Sequence, residues 1–134
     1  MSSSLIQTVN TSNQSVDVNG IINLGSVVRR FGQNCNLVGN SLVLDGCGYY
    51  GILATITVEP TAIGNVTVVM NENGNQIAGG IASGYASVAE TPVTLPIIGT
   101  IRKGCQCTGL SNITFVLTEG AGNVTNIITK AYKE

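Results

Sequence analysis

The sequence predicts an all-β domain, a jelly-roll sandwich of roughly eight to ten antiparallel strands. Short β-branched runs recur along its 134 residues with Gly, Asn or Pro between them. No window sustains an apolar stripe at i, i+3, i+4 and i+7, so helix signals are nearly absent. One unbroken strand-forming run, residues 49–58, follows the glycine-punctuated turn Asp45-Gly46-Cys47-Gly48. At ~3.3 Å per residue it reaches roughly 33 Å, enough to cross a small domain. Alternation sorts Tyr50, Ile52, Ala54, Ile56 and Val58 onto a core face and Tyr49, Gly51, Leu53, Thr55 and Thr57 onto the other.

The remaining elements follow from the same signals. Residues 5–9 form a strand-like run, and the polar residues 10–15 after it mark residues 1–15 as an N-terminal arm or first strand; residues 16–134 form a single head domain. Strands are expected at residues 16–24, 27–31, 36–38 and 41–44. After the central strand, Pro60 and Gly64 turn the chain into residues 65–70. Asn73-Gly74 then predicts a two-residue type I′ hairpin, because both residues tolerate positive φ. The return strand from Gln76 is glycine-rich, which implies a bulge or a close neighbour. Residues 92–101 form an edge strand, since Pro92 and Pro96 cannot pair inside a sheet. Residues 102–109 are a loop, and two last strands follow, one with Ile113, Phe115 and Leu117 facing inward and one over residues 123–132.

Composition excludes several roles. Charged residues make up 10% and the net charge is -1, too little for counterion-driven binding to nucleic acid. No segment approaches the ~18 apolar residues of a membrane helix, and the first residues lack the basic and apolar regions of a secretory signal. Synthesis in a bacterial cytoplasm without a signal peptide is therefore expected, with no membrane insertion. A mean hydropathy of +0.32 implies apolar surface hidden against other copies or other proteins.

The chemistry is sparse. With no histidine, imidazole acid–base catalysis and imidazole metal sites are excluded. The seven acidic residues are scattered, with Glu59, Glu72, Glu90 and Glu119 all at turns, so no catalytic residue, no enzymatic activity and no cofactor is expected. Cys35, Cys47, Cys105 and Cys107 admit three states: free thiols first, given the cytoplasmic start, then disulfides, then a structural zinc for which Cys-x-Cys is one residue too tight.

From the central strand onward the sequence is similar to the C1q/TNF-like superfamily of jelly-roll heads, closest to bacterial members at the tips of spore or collagen-like filaments. Gly48-Tyr49-Tyr50 resembles that family's strand opening, and Pro60-Thr61-Ala62-Ile63-Gly64-Asn65-Val66-Thr67-Val68 with Asn71-Glu72-Asn73-Gly74 resembles its next hairpin. The runs 111–117 and 123–127 resemble its last two strands. The resemblance implies a homotrimer used for surface display or receptor binding. No Gly-X-Y tract precedes the head, so the chain resembles phage-borne virion proteins, such as trimeric capsid decoration or head-fibre proteins, at least as well as a spore filament tip. A virion, spore or cell surface is the expected location, with a capsid or surface-layer protein held through the N-terminal arm.

Tyr49, Leu53, Val69, Val116 and Ile127 each fall opposite the inferred core residues of their own strands, and are expected to form the trimer seam. A carbohydrate- or receptor-binding head is the alternative, its loops carrying Asn71, Asn73, Asn75, Thr108 and Asn112 toward a host glycan or receptor.

Overall fold

The computed structural model describes residues 4–103 and 110–133. Twelve strands occur among the described residues: β1 (Ser4–Asn10), β2 (Gln14–Val16), β3 (Gly20–Ile21), β4 (Ser26–Phe31), β5 (Cys35–Val38), β6 (Ser41–Leu44), β7 (Gly48–Pro60), β8 (Gly64–Glu72), β9 (Asn75–Ala86), β10 (Val93–Lys103), β11 (Ser111–Glu119) and β12 (Gly122–Lys133). They form two antiparallel sheets. The first runs β10-β7-β12-β1-β4 with β2 beside β12, and the second runs β5-β6-β11-β8-β9 with β3 beside β11.

The expected long strand is β7, thirteen residues, an interior strand of the first sheet between the edge strand β10 and β12. Its inward residues Tyr50, Ile52, Ala54, Ile56 and Val58 meet Val66, Val68, Met70, Ile113, Phe115 and Leu117 of the second sheet in one apolar cluster. A buried polar pair interrupts that core harmlessly: Thr8 and Thr129 face each other across β1 and β12 and hydrogen-bond through their hydroxyls. β10 alternates without a fault and lies at the edge of its sheet, as Pro96 requires.

Arg102 and Lys103 extend β10 instead of opening a loop, and two expectations change in the N-terminal part. Of the two readings of residues 1–15, the strand is the one seen: β1 pairs with β12 on one side and β4 on the other, and Ile6 is fully buried. Its apolar alternation, short as it is, suffices to make it an interior strand instead of a tether. The single strand expected at residues 16–24 is two short ones. Asn19 at φ 69° and a Gly20 N–H donating to Asp17 O at 2.8 Å turn the chain between β2, in the first sheet, and β3, in the second. The side chain of Gln14 braces this crossing, accepting from Asn23 N–H and donating to Asn23 O, each at 2.9 Å.

Candidate assembly face and adjoining cleft

Register places side chains in rows across the outer surface of the first sheet. One row reads Thr100, Gly51, Tyr132, Leu5 and Phe31; the next reads Ile98, Leu53, Lys130, Gln7 and Arg29; a third reads Pro96, Thr55, Ile128, Val9 and Ser26. Phe31 is 64% exposed, Ile98 63% and Tyr49 63%. The Tyr132 ring lies over Gly51 so closely that a Cβ there would sit 2.4 Å from Tyr132 Cζ. Glycine inside a strand usually marks such an approach.

The five expected seam residues divide. Tyr49 and Leu53 lie on this face. Ile127 does not: it is fully buried in the core. A bulge explains it, since Val124 pairs with Val58 and Asn126 with the adjacent Thr57, leaving Thr125 as the extra residue and shifting the phase, so that Ile128 takes the outward place. Val69 and Val116 pair with each other on the outer surface of the second sheet, in a row with Ile21 and Ile81. They therefore lie on a different sheet from Tyr49 and Leu53. Strand alternation separates inside from outside but does not say to which sheet a strand belongs. Ile98, Ile128, Tyr132, Leu5 and Phe31 join the face without having been expected there, although outward alternation beside Pro96 and the glycine at 51 signalled the first and third.

The expected binding loops meet at one end of the sandwich. Asn73 at φ 51° and Gly74 at φ 88° form the two-residue turn between β8 and β9, as the Asn-Gly pair predicts. Asn73 N–H donates to Asn112 O and Asn112 N–H donates to Asn73 Oδ1, both at 2.9 Å, which ties the hairpin to the start of β11. Asn71 pairs with Gln76 and Glu72 with Asn75; Thr108 lies outside the described residues. Beyond Gln76 the return strand leaves register, so that Ile77, Ala78, Gly79 and Gly80 bulge away from β8, with Gly79 at φ 76°. That bulge and the end of β10 enclose a cleft of about 500 Å³ lined by Glu72, Asn73, Asn75, Gln76, Ile77, Ala78, Thr100, Ile101 and Arg102.

Below the cleft, Lys103 Nζ donates to Ser111 Oγ and Ser111 Oγ donates to Glu72 Oε2, each at 2.7 Å. Arg102, outward on β10 where Lys103 is inward, lines the cleft and stands over the Tyr49 ring, 5.9 Å from its centroid. Of the cysteines, Cys47 is disulfide-bonded and Cys35 is a free, buried thiol; Cys105 and Cys107 lie outside the described residues. A bonded Cys47 corrects the expectation of free thiols at that position and removes one thiolate from any four-cysteine zinc site.

This two-sheet arrangement is the C1q/TNF-like jelly roll. The globular domain of zebrafish complement 1qA protein superposes with a TM-score of 0.70 at 6% identity, covering 94% of this chain and 94% of that one. Murine APRIL, crystallised at pH 8.0, gives 0.72 at 10% identity over 99% of this chain and 100% of that one. The PRD1 vertex protein P5 gives 0.52 at 12% identity over 98% and 96%. Neither a family model nor a curated protein matches the sequence.

Proposed function

We propose that the protein is a non-enzymatic head that assembles as a homotrimer through the outer face of its first sheet and is displayed on a virion, or on a bacterial spore or cell surface. The observation that carries this is the face itself, where Leu53, Ile98, Ile128, Tyr132, Leu5 and Phe31 occupy neighbouring rows, while Tyr49 stands with Arg102 at the end beside the cleft. A surface with this many exposed large apolar side chains, even with Lys130, Gln7 and Arg29 between its rows, is rarely left open to water, and self-association is the simplest cover. The fold supports the threefold arrangement that the family resemblance implies, and the likeness to P5, a vertex protein, supports the virion setting. The polar chain of Lys103, Ser111 and Glu72 supports a non-enzymatic reading: Ser111 is 3% exposed and its proton is committed to Glu72, so it braces three strands. Native mass spectrometry should give a particle of three times 13.8 kDa, and a monomer at micromolar concentration would refute the assembly.

The cleft favours a second reading, a binding head whose hairpin at Asn73 and Asn75 grips a ligand. A glycan array on the parent, Asn73→Ala and Asn75→Ala proteins tests it; reproducible saccharide binding lost in either variant supports a lectin-like head.

A further inference from the structure

The cleft between β9 and β10 has a chemistry that selects a class of ligand. Its polar wall is mostly neutral: the amides of Asn73, Asn75 and Gln76 and the hydroxyl of Thr100. Such groups pair well with sugar hydroxyls, each of which both donates and accepts. Two charged residues line it. Glu72 is directed to Ser111, whose oxygen accepts from Lys103, so its charge already has a cation within the network. Arg102 makes no ion pair among the described residues and meets only the Tyr49 ring. The space therefore presents one planar cation without an ion pair among the described residues, stacked on the Tyr49 ring just outside the lining, with neutral amides around it. A volume of about 500 Å³ falls within the range of small-ligand sites, ~300–1,000 Å³.

We propose that this cleft binds a carboxylated monosaccharide unit, a uronic or sialic acid type of sugar. The Arg102 guanidinium takes the carboxylate in a two-point contact, Asn75, Gln76 and Thr100 take ring hydroxyls, and Tyr49 supports the guanidinium from below. The β9 bulge is what opens the room, because a regular strand at Ile77 to Gly80 would pair with β8 and close the wall onto β10. A single cation amid amides suits one carboxylate better than a densely sulfated chain, which calls for a field of basic residues. The inference rests on the binding-head reading of the cleft and deepens it.

Isothermal titration of the parent with methyl glycosides of glucuronate, galacturonate and N-acetylneuraminate, set against those of glucose and galactose and against acetate, tests it. The carboxylated sugars should bind and the neutral ones should be weaker, and Arg102→Gln should lower the affinity roughly 10- to 100-fold, the worth of a charged hydrogen-bonded contact. Asn75→Asp, which sets a second carboxylate in the cleft, should repel the same sugars. Both side chains are exposed, so unchanged circular dichroism and elution volume should accompany the loss. Equal binding of neutral and carboxylated sugars would overturn the acidic class while leaving a saccharide site. Undiminished binding by Arg102→Gln would overturn the site. Binding of no sugar, or of acetate as well as any sugar, would overturn the binding-head reading with it.

Discussion

Gly51 carries more of the proposed assembly than its size suggests. The Tyr132 ring occupies the space a side chain would need, and through it the row from Gly51 to Phe31 is continuous. Gly51→Ala should leave the monomer folded, because the ring can swing outward at a cost of about 1–3 kcal/mol. It should weaken self-association measurably by sedimentation velocity, and unaltered association would mean that the Tyr132 row is not in the seam. Tyr50, one residue away, faces inward and donates to Asp45 O at 2.7 Å and Gly46 O at 2.8 Å. Burial pushes its phenol from 10.0 up to about 12, and burial likewise pushes the Cys35 thiol from 9.0 up to about 11. The folded state thus holds both protons more tightly than the unfolded chain does. Stability from these groups is complete below pH 9 and falls as pH rises through the window from about 9 to about 12. Urea titrations across that range should show the decline, and Tyr50→Phe should flatten its upper part while lowering neutral-pH stability by about 1 kcal/mol. A flat profile in the parent would contradict the burial of both groups. Alternation made Tyr50 legible as core, and Ile127 was misplaced only because one unpaired threonine changes phase without leaving a compositional mark.

At the scale of elements, turns and edges were readable and sheet membership was not. Asn73-Gly74 and Pro96 each act through backbone geometry that the residue itself imposes, so the hairpin and the edge strand follow from sequence. The β9 bulge was foreshadowed by its glycines, but the cleft it opens depends on β10 lying beside it, a contact between the edges of two sheets. Val69 and Val116 show the same limit, since their outward side belongs to the second sheet. β1 is the clearest case: a short apolar run next to polar residues resembles a tether locally, whereas its two pairing partners, β12 and β4, are far away in sequence. Deleting residues 1–15 should therefore unfold the head, removing an interior strand together with the buried Ile6 and the Thr8–Thr129 pair. Circular dichroism and thermal melting decide this, and a cooperatively folded truncation would restore the arm.

For the whole molecule, the two outer faces differ in kind. The second sheet presents a single apolar row, Ile21, Val116, Val69 and Ile81, in which Val69 is already only 6% exposed. Next to it stands a polar cluster in which Thr67 Oγ1 contacts Ser83 Oγ at 2.8 Å and Glu119 Oε1 at 3.1 Å. The first sheet carries large apolar side chains in each of three neighbouring rows, among them Phe31, Ile98 and Ile128, with polar residues between and the polar pair Thr57 and Thr94 at one end. Self-association through the first face makes the most direct demand on one measurement: light scattering coupled to size exclusion on the parent, Leu53→Glu, Ile98→Glu and Thr57→Glu. Ile98 is mostly solvent-exposed, so a glutamate there should not disturb the monomer's core, whereas a desolvated charge in a seam is strongly unfavourable. The account predicts a trimeric parent, monomers or aggregates for Leu53→Glu and Ile98→Glu, and a trimer for Thr57→Glu. A monomeric parent, or trimers that persist through both Leu53→Glu and Ile98→Glu, would contradict it.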